Sequence, residues 1–179
     1  MGVAPSSDQG RNQPVGPWAW LLPVAYAVHV VEEAFGGRGF TQWMAAGGGL
    51  HLSITEFIAL NSVGISILCL VAWAARESTA WRWLLVGGAT ILFVNGICHV
   101  AVCVATQGYV PGMWTGLVLY MPLGAALLFV MRRLVPPRLF WLGVACGFII
   151  HGTVIWMVLR MPGFELERAR MITLASLRI

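Results

Sequence analysis

Five long apolar runs separated by short polar breaks constrain this chain more than anything else in it. A bilayer core needs about 20 apolar residues per helix, and the runs cover about 18–35, 54–75, 80–106, 112–135 and 138–159. Hydrocarbon offers no partner to a backbone N–H or C=O, so a segment that crosses it must satisfy those groups within itself. The expected fold is therefore all-α, an integral membrane bundle of about five transmembrane helices in one domain over 18–160. Composition agrees. The chain is 59% hydrophobic and 10% charged, whereas a soluble domain is roughly half apolar and a quarter charged.

The breaks are of the right kind. Pro136-Pro137 separates the last two runs, as residues with a fixed φ and no N–H should. Residues 36–53 are glycine-rich and carry Phe40-Thr41-Gln42-Trp43-Met44, a patch suited to the membrane interface, where Trp is enriched. Residues 1–17 are expected to form a disordered N-terminal tail without a cleaved signal peptide, and 161–179 a polar C-terminal tail. Short connections make neighbouring helices antiparallel. Two rows of small residues suggest how the helices pack: Gly112, Gly116 and Gly124 with Tyr120, and Gly143 and Gly147 with His151. In lipid such rows let backbones approach closely.

The basic residues are all arginine, scattered beside apolar runs, and they read as membrane-flank anchors. A clustered basic face, which nucleic-acid binding requires, is absent. Arg76, Arg82, Arg132, Arg133 and Arg138 flank two connections that the positive-inside rule places in the cytoplasm. That puts the N-terminus in the cytoplasm and the protein in a bacterial plasma membrane, by a margin of six arginines inside to five outside. Cys69, Cys98, Cys103 and Cys146 lie within apolar runs without metal-knuckle spacing and read as small core residues.

Polar residues inside these runs are the informative exceptions. The first contains His29-Val30-Val31-Glu32-Glu33, in which His29 stands i, i+3 to Glu32 and i, i+4 to Glu33, so all three project from one side of a helix. A charge at mid-membrane costs ~3 kcal/mol on insertion scales, so two adjacent glutamates call for neutralisation, pairing or ligation. Alternatively they reach the far interface, since His29 lies roughly 18 Å along the helix at 1.5 Å per residue. Asn95 and His99 form an i, i+4 pair in the third run. Glu56, Asn61 and Thr115 open the second and fourth, and His151 lies past the middle of the fifth. Singly, each reads as a satisfied core residue. With alternating helices, however, all of them map to one half of the bilayer, as a single site would.

Imidazole and carboxylate from facing helices match the way bundle metal sites are built, and suit zinc, iron or manganese. A shared proton relayed by His29 or His99 is the rival arrangement. At these residues the sequence resembles the HXXEE-motif family of small bacterial membrane proteins. The resemblance rests on His29-Val30-Val31-Glu32-Glu33, Asn95-xxx-His99 and Tyr109-x-Pro111-Gly112-xx-Thr115. The family is defined by its motif and has no established activity. The resemblance implies a shared site at His29, Glu32, Glu33, Asn95 and His99, and leaves His51, Glu56 and His151 unplaced.

The expected function is a metal-dependent membrane enzyme, a hydrolase, isomerase or cyclase, acting on a small hydrophobic or lipid-like molecule. His29, Glu32, Glu33 and His99 would ligate a divalent metal. Glu32 or Glu33 is the alternative general base, and Asn95 an orienting donor. The expected partners are the lipid bilayer and the hydrophobic small molecule. Two other readings stand beside it: a small-molecule or proton binding or transport protein, and a structural membrane protein.

Overall fold

Each long apolar run forms a helix, the one conformation that satisfies its backbone internally in lipid. The computed structural model describes residues 15–46 and 51–160, with backbone alone from 157. Among the described residues every regular element is helical. A 3-10 turn, Pro17–Trp20, leads into α1, Leu21–Phe35. Helix α2, Phe40–Ala46, is short and precedes α3, Ile54–Glu77. A second 3-10 turn, Thr79–Trp81, enters α4, Arg82–Thr106. Then come α5, Met113–Leu134, and α6, Pro137–Arg160. Of the expected N-terminal tail, residues 1–14 lie outside the described residues, while Val15 packs into the core. The expected C-terminal tail, 161–179, and residues 47–50 of the interface segment also lie outside them.

Four helices, α3, α4 with its leading turn, α5 and α6, are long and apolar enough to cross a membrane. Their outer faces are apolar too. Leu60, Val63, Ile67 and Leu70 of α3 are each more than half exposed, a patch that water penalises and lipid accepts. The first expected span is not among the four. Its helix, Leu21–Phe35, has 15 residues, fewer than the roughly 20 that a bilayer core needs, and its last two turns carry His29, Glu32 and Glu33.

Helix α4 is the hub, with α5 and α6 packed along it. Glycine makes that packing possible. A Cβ on Gly143 would sit 2.5 Å from the Trp83 carbonyl oxygen, and one on Gly147 2.7 Å from the Gly87 carbonyl oxygen. The paired numbers rise together, so α4 and α6 run parallel, two reversals apart. On the other helix, Gly124 packs against Ala89 and Phe93, and Gly116 against Gly96. Gly147→Ala is expected to destabilise the bundle by about 1–3 kcal/mol through overpacking against backbone that cannot yield. Gly152, beside which a Cβ meets nothing within 4 Å, supplies the control: Gly152→Ala should leave the unfolding midpoint in detergent unchanged or raised.

Two local features aim side chains at one end of the bundle. Helix α5 opens with a π-helical turn over Gly116–Tyr120, where Met121 N donates to the Gly116 carbonyl five residues back. Pro122 follows and has no N–H to continue an ordinary ladder, which accounts for the wider turn. The turn leaves Tyr120 fully buried. At the start of α3, Ser53 and Glu56 form a capping box. The Glu56 Oε2 accepts both the Ser53 N–H and hydroxyl at 2.8 Å, so this glutamate serves its own helix end.

Candidate metal centre

On α1 the i, i+4 spacing puts His29 and Glu33 on one buried face, at 2% and 8% exposure. Helix α4 contributes His99 near its C-terminal end, also 8% exposed. The two imidazoles meet edge to face with centroids 4.9 Å apart. Glu33 Oε1 lies 3.5 Å from His29 Nε2 and 3.3 Å from His99 Nε2. One ligand atom from each of the three residues falls within 4.8 Å of the others. Tyr120 stacks on the His29 ring at 4.1 Å, and Phe40 of α2 stands 6.3 Å from the His99 ring.

Glu32, one residue earlier on the helix, points about 100° away and finds different partners. Its Oε1 accepts the Tyr109 hydroxyl at 2.8 Å and the Trp114 N–H at 3.0 Å. Its Oε2 accepts the Thr115 N–H and hydroxyl, each at 2.6 Å. The carboxylate thus caps the exposed N–H groups that begin α5, where a negative charge is favoured. Burial and the neighbouring Glu32 carboxylate push the Tyr109 phenol up to about 12, so it stays protonated as a donor at neutral pH.

Thr115 joins the two halves. Its hydroxyl proton goes to Glu32, whose carboxylate only accepts, so the 2.7 Å contact between Thr115 Oγ1 and His29 Nδ1 requires an N–H on Nδ1. With Nδ1 engaged by Thr115, Nε2 is the ring nitrogen that faces Glu33, and it is buried with no hydrogen-bond partner. His29 Nε2 and Glu33 Oε1 thus face each other at 3.5 Å, too far for a close hydrogen bond.

Gly112 closes the site from the connection between α4 and α5. It has φ +91°, a left-handed conformation suited to glycine. A Cβ there would lie 2.7 Å from His99 Cε1 and 2.8 Å from His29 Cε1. The sequence pattern placed Gly112 on a helix-contact row with Gly116 and Gly124. It sits instead at the turn before the helix, pressed against both imidazoles.

Of the residues singled out from sequence, His29, Glu33 and His99 come together as potential ligands, and Glu32 stands beside them with both oxygens occupied. Asn95 lies one turn before His99, its Oδ1 buried without a partner. His51 and Glu56 are exposed. The sequence put Gly112 and Tyr120 on a helix-contact row and Phe40 in an interface patch. Of the three, only Gly112 was tied to the site, through the Tyr109-x-Pro111-Gly112-xx-Thr115 motif of the resemblance.

These features define a helical bundle with membrane-spanning helices and a buried His/Glu group at one end. The chain belongs to the family described as proteins of unknown function with an HXXEE motif, which it matches over residues 20–129. The matched region takes in α1 through most of α5 and includes His29, Glu32, Glu33 and His99. No curated protein and no solved structure matches the chain.

Proposed function

We propose that this protein is a metal-dependent integral membrane enzyme acting on a small hydrophobic or lipid-like substrate, with His29, His99 and Glu33 as ligands of one divalent ion. Spacing carries the reading. Ligand atoms at the corners of a tetrahedron lie about 1.63 bond lengths apart, which is about 3.3 Å for bonds of ~2.0 Å to zinc. Two of the three edges match, His29–Glu33 at 3.5 Å and His99–Glu33 at 3.3 Å, and all three ligand atoms lie within 4.8 Å of one another. Charge-assisted hydrogen bonds between such groups would be shorter, about 2.7–2.9 Å. With Nδ1 engaged by Thr115, His29 Nε2 is the ring nitrogen available to a cation, and it has no hydrogen-bond partner. The same donor set accommodates iron or manganese.

Two histidines and one carboxylate leave a coordination position open, the arrangement of catalytic rather than structural zinc sites. A bound metal there supplies Lewis acidity, polarising a substrate oxygen or activating water. The chain's own residues do the rest. Thr115 fixes the His29 tautomer, and Glu32 holds Thr115. Gly112 and Tyr120 confine the imidazole rings, and Asn95 orients the substrate from α4. Glu32 acts in this reading as a positioning residue, outside the ligand set.

Purified protein is expected to retain about one zinc, iron or manganese ion per chain by elemental analysis, and His29→Ala to lose it while remaining a folded helical protein. Absence of any stoichiometric metal after reconstitution removes the proposal. Unfolding of His29→Ala and His99→Ala alike would instead favour a purely structural role, since each leaves a buried partner unpaired. Thr115→Val should weaken metal binding by about 10–100-fold, the usual effect of removing an outer partner of a ligating histidine. Thr115→Ser should restore it.

A further inference from the structure

His151 is a buried histidine that the ligand set does not use. It is 6% exposed and its Nε2 has no hydrogen-bond partner. On α6 it stands one turn beyond Gly147, which packs against Gly87 and Thr90. Because α4 and α6 run parallel, one further turn brings His151 level with about 91–95, the turn that holds Asn95. It is not one of the three residues whose ligand atoms cluster within 4.8 Å. Asn95 Oδ1 and the Tyr120 hydroxyl are likewise buried and unpartnered. The three unpartnered atoms come from α4, α5 and α6: Tyr120 stacks on His29, Asn95 lies one turn before His99, and His151 stands level with Asn95.

The chemistry of this group is selective. It offers an amide, a phenol and an imidazole, all of which exchange hydrogen bonds with neutral oxygen. It offers no fixed positive charge. Among the described residues Arg82 is the one buried arginine, and it begins α4, about 25 Å from His99 at 1.5 Å per residue. An anionic headgroup would find no cation beside the metal, and a cationic one would approach the metal's own charge.

We infer that His151, with Asn95 and Tyr120, forms the substrate side of the site and takes an uncharged hydroxyl or carbonyl group of a lipid-soluble molecule. The inference rests on the metal reading above and deepens it. His151 is a substrate-contacting residue rather than a fourth ligand, and its imidazole presents Nε2 to the substrate oxygen.

The test uses full-length protein in detergent, reconstituted with Co(II), whose visible spectrum reports on its ligand field. Titration with 1-decanol is expected to perturb the spectrum at lower concentration than decyl sulfate or decyltrimethylammonium, which share its chain length but carry charge. His151→Leu should retain Co(II) with unchanged affinity and need about tenfold more decanol, the equivalent of one hydrogen bond. His151→Gln, which keeps a hydrogen-bonding group, should recover part of that loss and covers the case in which the leucine variant does not fold. Loss of Co(II) from either variant would make His151 a ligand and overturn the inference. So would equal decanol sensitivity in wild type and both variants, or a preference for either charged amphiphile. Failure of the wild type to bind Co(II) at all would strike the metal reading itself, a different and separable result.

Discussion

Glu33→Gln is expected to lower metal affinity by more than about 100-fold while leaving the metal-free bundle at least as stable as the wild type. Glu33 is the one carboxylate among the three proposed ligands, and its Oε1 faces both imidazoles, at 3.5 and 3.3 Å. Losing an outer partner of a ligand costs about 10–100-fold, and losing the anionic ligand itself should exceed that. The stability effect has the opposite sign. Without metal, a carboxylate 8% exposed among apolar helices carries a desolvation penalty, and a neutral residue of the same shape relieves it. Isothermal titration with zinc, run beside thermal unfolding of the metal-free proteins, reads both quantities. A variant that binds zinc as the wild type does would remove Glu33 from the ligand set. One that unfolds without metal would mark Glu33 as a structural partner instead.

Gly112→Ala should damage the site and the fold together. The position requires φ +91°, which costs a residue with a Cβ about 1–2 kcal/mol. The added carbon would also lie 2.7 and 2.8 Å from carbons of the two imidazoles. Relief requires moving the turn or the rings, and moving the rings spoils the spacing that suits a metal. The variant is expected to lose metal binding and several degrees of melting temperature together. Gly108, in the same connection, meets only the Thr106 carbonyl, 3.7 Å from a Cβ, so Gly108→Ala should change neither. If Gly112→Ala binds metal normally, the connection is looser than its geometry implies and the imidazoles are not held by it.

Both predictions concern a site whose ingredients were plain in the sequence and whose assembly was not. His29 and Glu33 are i, i+4 on one helix, so their pairing follows from helical geometry alone. Glu32 shares the same motif, and spacing could not separate its role from that of Glu33. The separation came from the start of α5, where Thr115, Trp114 and Tyr109 claim both oxygens of Glu32. Those residues lie more than 70 positions away in the chain, beyond the reach of any local pattern. His151 could be placed only once Gly143 and Gly147 were seen against α4, because the register of two helices depends on which surfaces fit closely.

The apolar runs, their proline and glycine breaks and the buried cost of His29 and Glu33 were determined by the sequence by itself. Lipid leaves a long apolar segment no conformation but a helix, and a polar group within it no state but a paired one. Tertiary structure alone decided which polar groups pair. Thr115 engages Nδ1 of His29, Glu32 caps a neighbouring helix, and His99 rather than Asn95 faces Glu33. Such choices turn on separations of a few tenths of an ångström between helices, and only the packed bundle fixes those.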